Sequence, residues 1–392
     1  MERKPEGRSP RRRATATEFA TPGGALHLTA LDGGIAGSAA LLAALGLVMI
    51  YSTTAPLAMG SAIPPLFLKH MAALVLALGI AAVALRTPLA FWRRMALPLW
   101  LASVGLLLVT PVLGMEANGA RRWLAVPGLA ISVQPAELAK WTTAVCVAAL
   151  LAAGRPASWR TLRTCLLLAV IPVGLLLLQP DLGNAFLVLA LTGALLFVGG
   201  VPLRRLGALT LLGIAGVAGY VAAHPYALAR WKGYLAPWQN SRSEGFQLVQ
   251  SFVAFGRGGT FGVGLGDGRQ KLEYLPEAHT DFILSVVAEE LGLVGVLVVL
   301  GLFAALAVAG VRVALRTRDP FAQLLAFAMT AFLAVPAGVN AAVVMGILPT
   351  TGFTLPFLSF GSNSLLVCAL SVGVLLRVAT EQTAPAPRRR RS

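Results

Sequence analysis

Long uninterrupted apolar runs recur along this 392-residue chain from Gly33 to the C-terminal region. Ten of them reach or approach the roughly 20 residues that a helix needs to cross a bilayer. They lie at 35–51, 67–85, 97–113, 138–153, 165–178, 185–201, 206–223, 282–311, 321–347 and 355–378. The runs lack strand-like alternation, and a backbone in lipid must satisfy its own hydrogen bonds. The sequence therefore predicts an all-α polytopic membrane protein with ten transmembrane helices.

The composition excludes other classes of protein. Charged residues make up 12% of the chain and apolar residues 57%, and the mean hydropathy is +0.77. This charged share is about half that of a soluble domain, which excludes a soluble enzyme and a disordered chain. In a soluble protein the net charge of +16 would suggest a nucleic-acid partner. In a membrane protein basic residues first set topology, so we predict no nucleic-acid partner.

The distribution of basic residues predicts the orientation. If the N-terminus is cytoplasmic, 22 of the 32 basic residues fall on the inner side. Every short inner loop then carries Arg, whereas the outer turns 179–184 and 346–354 carry no basic residue. The positive-inside rule therefore gives N-in and C-in topology in a bacterial cytoplasmic membrane.

The predicted spans and the basic termini divide the chain into three parts. A basic, disordered segment is expected over 1–34, a ten-helix membrane domain over 35–378, and a basic cytoplasmic tail over 379–392. Between helices seven and eight lies a large outer loop, 224–280, which is rich in Gly, Arg and aromatic residues. A connection of this length is usually functional or disordered. Its aromatic content predicts that it folds against the membrane surface.

Carboxylates follow proline near the outer starts of three inward-running helices, at Glu137, Asp181 and Glu277. Proline and acids suit the first turn of a helix, so simple capping would account for all three. Asp281 is harder to explain in this way, because it stands at the lip of a long apolar helix. We therefore regard Asp281 as the leading candidate for proton transfer.

Other charged residues lie within apparent membrane depth. Glu137 and Lys140 are three residues apart and share one helix face, where they could neutralise each other. Glu289 and Glu290 lie eight and nine residues beyond Asp281. Acids at that depth are costly and normally face a partner in the protein interior, so we predict that both are structural.

The outer side thus combines carboxylates, cations, glycine-rich backbone and helix N-termini beside apolar walls. Arg residues and helix N-termini bind phosphate well. This set indicates a lipid-borne, phosphate-containing substrate. The three cysteines lie singly in apolar runs and form no metal spacing.

Several motifs together resemble the SEDS family (shape, elongation, division and sporulation), which includes FtsW and RodA. The motifs are GARRWL at 119–124, QPAELAK at 134–140, QPDLG at 179–183, GDGRQK at 266–271, LPEAHTDFI at 275–283, EELG at 289–292, Asn340, LPTTG at 348–352 and LPF at 355–357. They cover nearly the whole chain beyond the basic N-terminal segment. The sequence departs from the family pattern at 359–364, Ala136 and Asn184.

The resemblance implies a peptidoglycan glycosyltransferase that polymerises lipid II into glycan strands on the outer face of the membrane. It implies a class B penicillin-binding protein, a transpeptidase, as partner, together with other divisome or elongasome proteins. By the same resemblance, Asp281 is the residue most closely tied to catalysis, and Glu137 and Lys140 match positions associated with activity. The basic N-terminal segment and the sequence Phe-Thr-Leu-Pro at 353–356 favour the FtsW-like division branch of the family.

We hypothesise that Asp281 is the general base in an inverting transfer that releases polyprenyl diphosphate. Candidate residues for binding the substrate and its diphosphate, besides Lys140, are Arg121, Arg122, Lys271, His279 and Asp181. A divalent cation, Mg²⁺ or Mn²⁺, could share that work, although no dense ligand cluster demands one. Two alternatives stay open: a transporter that flips lipid II, and a non-enzymatic scaffold for the transpeptidase.

Overall fold

The computed structural model describes residues 32–57, 63–117, 120–125, 128, 132–154, 158–350 and 352–383. Nearly all of the predicted disordered segment and most of the predicted tail lie outside the described residues. The helices are α1 (Gly33–Thr54), α2 (Pro65–Arg86), α3 (Leu89–Leu113), α4 (Pro135–Ala153), α5 (Trp159–Leu178), α6 (Leu182–Val198), α7 (Leu203–Ala223), α8 (Pro225–Leu235), α9 (Phe246–Gly258), α10 (Ile283–Arg316), α11 (Pro320–Val344) and α12 (Ser362–Thr383).

Within the described ranges, nine helices are long and apolar enough to cross a membrane. The tenth predicted span corresponds to α6, an apolar helix of 17 residues. At 1.5 Å per residue α6 is about 26 Å long, slightly less than the hydrocarbon thickness of a bilayer. The prediction of a polytopic helical membrane protein is confirmed, and the count of ten spans stays a prediction.

The buried centre of the bundle is formed mainly by α4, α11, α12 and the first half of α10. The helices α2 and α12 pack closely, as do α10 and α11, and α3 and α4. By contrast, α7 buries only Val221 among its 21 residues. It leaves a wide apolar surface beside α6.

Most predicted segment ends differ from the structure by a few residues, and α3 begins at Leu89 rather than at 97. The outer loop 224–280 contains α8, α9 and a π-helical turn over Gln270–Tyr274. The last apolar run begins as non-helical chain before α12 starts at Ser362, and α12 ends at Thr383 rather than at 378. At the other end, α1 begins at Gly33, because the Asp32 side chain accepts hydrogen bonds from the first helical N–H groups.

The long helix α10 is broken near its third turn. Gly292 has φ 67° and ψ −165°, which interrupts the helical backbone. Chain from the outer loop pairs with the backbone groups that the break leaves free: Val263 N–H donates to Glu289 O at 3.0 Å, and Leu293 N–H donates to Gly259 O at 2.9 Å. The outer loop is thereby built into the bundle beside the break.

A small antiparallel sheet covers the same end of the bundle. Strand β1 (Met115–Ala117) pairs with β2 (Ala120–Ala125), and β2 pairs with β3 (Ser132–Val133). These strands connect α3 to α4. The end of the bundle that carries this sheet, α8 and α9 is called the loop-rich end below.

Candidate functional site

A cavity of about 2230 Å³ extends from the loop-rich end along α5, α6 and α7. Its apolar walls come from α5, α6, α7 and α11, and its polar residues come from the sheet, the starts of α4 and α6, and the chain before α10 and α12. The structure thus brings together segments that are far apart in sequence. The acidic residues, basic residues and histidines that line it are Lys69, Arg122, Glu137, Lys140, Asp181, His224, Arg230, Glu277, His279 and Asp281.

Glu137 and Lys140 form a buried ion pair in the first turns of α4. Lys140 Nζ donates to Glu137 Oε1 at 2.7 Å, and both side chains are less than a tenth exposed. The Lys140 ammonium also lies 5.9 Å from the Phe332 ring centre. The predicted pairing is therefore present, and the pair faces the cavity as well as neutralising itself.

Asp281 lies two residues before α10 begins, with its backbone held by α11. Asn340 Nδ2 donates to Asp281 O at 2.7 Å and to Phe353 O at 2.6 Å. A Cβ added to Gly352, where φ is +76°, would lie 3.4 Å from Asp281 Oδ2. The buried Asn340 amide therefore ties the Asp281 segment to the chain before α12, and Gly352 adjoins the carboxylate.

The surroundings of Asp281 favour its neutral form. Desolvation by burial, with the negative charge of Glu277, raises its pKa to about 7, while the nearby Arg230 guanidinium acts in the opposite direction. A carboxyl group with this pKa can accept and release a proton near neutral pH. Burial also lowers the pKa of His279, with Glu277 opposing, so its imidazole is largely uncharged at neutral pH.

Arg122 and Asp181 both contact the chain at the start of α6, through different partners. Arg122 donates to the carbonyl oxygens of Gln179 at 3.2 Å and Pro180 at 2.7 Å. Asp181 caps α6 by accepting from the Asn184 backbone N–H at 3.1 Å and from its side-chain amide at 2.7 Å. Both residues line the cavity. The capping interpretation thus holds for Asp181, which keeps its place in the cavity wall.

Glu277 does not cap a first turn, since it lies six residues before α10. Its φ of 58° is unusual for a residue with a side chain. Its carboxylate accepts from Thr280 Oγ1 at 2.6 Å. The capping interpretation is therefore wrong for Glu277.

Two predicted diphosphate-binding residues lie elsewhere. Lys271 is 3% exposed and binds Glu290, with 2.7 Å between Nζ and Oε1. Arg121 is exposed on β2 and lies 3.8 Å from Glu116. Neither is among the residues that line the cavity. Glu289 is likewise buried and paired, at 3.2 Å from the Arg257 guanidinium.

The cavity contains two cations that the sequence reasoning did not single out as binding candidates, Lys69 on α2 and Arg230 on α8. Arg230 Nη1 donates to Thr350 O at 3.3 Å, close to Gly352. The sequence contains only a weak indication that these two residues bind substrate, namely their predicted position on the outer side. Among the described residues, no group of three His, Cys, Asp or Glu could hold a metal ion.

Fold and site together define a class: a polytopic membrane protein with a large cavity whose lining includes both a carboxyl group of raised pKa and several cations. Within that class, the chain belongs to the FtsW/RodA/SpoVE family, whose model, described as cell cycle protein, matches residues 35–384. The predicted SEDS resemblance is confirmed.

Named relatives cover most of the chain. A probable peptidoglycan glycosyltransferase FtsW from Geobacter sp. (strain M18) is 38% identical over 349 residues, covering 87% of this chain and 95% of the relative. A protein of the same name from Pseudomonas fluorescens (strain SBW25) is 38% identical over 357 residues, covering 88% and 87%.

Solved structures agree with this assignment. One is described as a peptidoglycan synthase complex that coordinates polymerization and crosslinking; it matches with a TM-score of 0.76 and 32% identity over 91% of this chain and 99% of that chain. Thermus thermophilus rod shape determining protein RodA matches with a TM-score of 0.67 and 30% identity over the same shares, 91% and 99%.

Proposed function

We propose that this protein is a peptidoglycan glycosyltransferase that polymerises lipid II into glycan strands. The observation that carries the proposal is Asp281, a carboxyl group with a pKa raised to about 7 in a cavity that also holds Arg122, Lys140 and Arg230. The relatives named as glycosyltransferases support it. A base beside cations suits transfer of a sugar from a diphosphate.

In the proposed reaction, the 4-hydroxyl of an acceptor sugar attacks the anomeric carbon of a donor that carries a polyprenyl diphosphate. The Asp281 carboxylate takes the hydroxyl proton as the new carbon–oxygen bond forms. The bond from the anomeric carbon to the phosphate oxygen breaks, and polyprenyl diphosphate leaves with the bonding electrons. An α-linked diphosphate becomes a β-1,4 glycoside, so one in-line displacement inverts the configuration.

The leaving diphosphate requires positive charge, which four cavity residues can supply: Lys69, Arg122, Lys140 and Arg230. Arg side chains can bind phosphate oxygens in a bidentate manner. Glu137 orients Lys140 through their 2.7 Å contact. Arg121 and Lys271 do not belong to this set, because neither lines the cavity. Mg²⁺ or Mn²⁺ bound to the diphosphate would add further charge.

The apolar cavity walls on α5, α6 and α7 suit the polyprenyl chains of donor and acceptor. In the proposed topology α6 also crosses the membrane, which brings the number of spans to ten, and both termini are cytoplasmic. The loop-rich end then faces outward, and the active site lies on the outer face of the cytoplasmic membrane. The basic residues of the inner loops support this orientation.

We further propose that the protein works with a class B penicillin-binding protein, which crosslinks the strands that it makes. The match to a complex that coordinates polymerization and crosslinking supports this partnership. The relatives named FtsW favour a role in cell division over elongation.

The test is Asp281→Asn in purified protein given labelled lipid II, with and without the transpeptidase. Loss of a general base predicts a fall in polymerisation of about 10²- to 10⁴-fold. The matched control is Asp319→Asn, at the start of α11, where Asp319 accepts from Ala322 N–H at 2.8 Å. Asn is an equally good N-cap, so this variant should keep the parental rate. Polymer formed at the parental rate by Asp281→Asn would exclude Asp281 as the base.

Proteoliposomes distinguish the transporter alternative. The acids at membrane depth that would serve a transporter, Glu289 and Glu290, are each bound to a cation. We therefore expect chain growth from lipid II supplied on the outer side. Translocation of lipid II without chain growth would overturn the polymerase proposal. Cell growth that survives Asp281→Asn but is abolished by changes of the protein surface would favour the scaffold.

A further inference from the structure

Two adjacent carboxylates, Glu289 and Glu290, lie at the break in α10 and are at most 1% exposed. Glu289 accepts from the backbone N–H groups of Arg269 at 2.9 Å and Gln270 at 3.0 Å, and from Arg257 at 3.2 Å. These bonds attach the outer loop directly to α10. The reaction proposed above uses none of these groups.

Glu290 joins three separate parts of the chain. It accepts from Lys271 Nζ at 2.7 Å, from Ser52 Oγ on α1 at 2.7 and 2.8 Å, and from Gly266 N–H at 3.1 Å. Lys271 Nζ also lies 2.8 Å from Ser52 Oγ. The two acids and their two cations balance in charge, as buried ionic groups require.

These contacts join the two ends of the 272–282 loop, which carries the proposed base. The joined parts, 269–271 and Glu289 with Glu290, are called the neck below. The chain is held at 269–271 by Glu289 and Glu290, runs through 272–282, and enters the helix that contains the same two acids. Leu275 and Ala278 anchor the loop in the interior, at 2% and 6% exposed. Asp281 lies at the end of this loop, where Asn340 also holds its backbone, so the neck is one of two restraints on its position.

We propose that Lys271 and Glu290 are positioning residues that hold the 272–282 loop, and therefore Asp281, at the reacting position. The inference rests on the proposed function of Asp281. Neither residue lines the cavity, so both act through the backbone that they fix. An open neck gives the loop many arrangements, and few of them place the carboxylate within hydrogen-bond reach of the acceptor hydroxyl.

Four variants test the proposal. Lys271→Met removes the cation and leaves Glu290 buried without its charge partner. The double variant Lys271→Met with Glu290→Gln removes both charges, so it loosens the neck on the Glu290 side without leaving an isolated buried charge, while Glu289 still holds Arg269 and Gln270. Lys271→Arg restores a cation. Leu306→Ala, which truncates a side chain 1% exposed in the second half of α10, is the control for loss of stability alone.

The measurements are kcat and KM for lipid II, thermal unfolding, and hydrogen exchange of the 272–282 amides. Lys271→Met and the double variant should lower kcat at least tenfold, with KM changed less than threefold and exchange of 272–282 accelerated. Lys271→Arg should recover most of kcat. Leu306→Ala should lower the unfolding temperature while keeping kcat within twofold.

The proposal is overturned if the double variant keeps the parental kcat, or if exchange of 272–282 stays slow in it. It is also overturned if Leu306→Ala loses as much kcat as Lys271→Met at equal thermal destabilisation. A parental protein that makes no polymer would instead contradict the proposed function. In that case hydrogen exchange would still report whether the neck holds the loop.

Discussion

At the scale of single residues, the loss of polymerisation rate at low pH (the acid limb of the pH profile) should follow the protonation of Asp281. A base with a pKa of about 7 is progressively protonated below that pH, so polymerisation should fall there. Glu277→Gln removes a negative neighbour that raises this pKa. The pKa of Asp281 should then fall, and the acid limb of kcat against pH should move to lower pH. An unmoved limb would show that another group controls it.

The two neighbouring arginines of β2 should differ in importance. Arg122 lines the cavity, whereas Arg121 is exposed beside Glu116. Hydrogen bonds to charged groups contribute about 1.5–3 kcal/mol, which is about 10- to 100-fold in rate when lost from a transition state. Arg122→Gln should therefore slow polymerisation at least tenfold, and Arg121→Gln less than threefold. Equal losses in the two variants would contradict this assignment.

The sequence allowed candidate catalytic and binding residues to be chosen. It did not show which of them lie together in the folded protein. Asp281 stood out because acids are rare in an apolar chain, and the spacing of three made Glu137 and Lys140 helical neighbours. The link of all three to catalysis came from the resemblance to the SEDS family. Lys271 was misplaced because its partner, Glu290, lies 19 residues further along the chain, in the first half of α10, and only the tertiary structure brings the two together. Arg230 was missed as a binding residue because only tertiary structure brings α8 to the cavity.

At the scale of elements, the contact between α9 and α10 depends on glycine. A Cβ at Gly258 would overlap the Ala288 carbonyl oxygen, whereas a Cβ at Gly256 would meet no atom within 4 Å. Gly258→Ala should therefore lower stability by about 1–3 kcal/mol or more through overpacking. Gly256→Ala, on the same helix, should be neutral or stabilise by up to about 1 kcal/mol. Thermal unfolding in detergent measures both, and a harmless Gly258→Ala would exclude the close contact.

The spanning helices were predictable because hydrophobic length alone specifies them in lipid. The elements of the outer loop were not, because α8 and α9 are short. Helices of 11 and 13 residues depend on tertiary packing, here of Leu248, Val249 and Ala254 in the interior. The break at Gly292 was also not predicted, since a single glycine within an apolar run does not by itself interrupt a helix.

At the scale of the whole molecule, the orientation fixes which compartment supplies the substrate. Single cysteines can report it, because the three native cysteines are buried and therefore poorly reactive. Arg242→Cys lies on an exposed stretch between α8 and α9, and Arg318→Cys on an exposed turn between α10 and α11. In intact cells a membrane-impermeant maleimide should label the first. It should label the second only after the membrane is permeabilised. The reverse pattern would place the cavity on the cytoplasmic side, where a polymerase could not build an external wall.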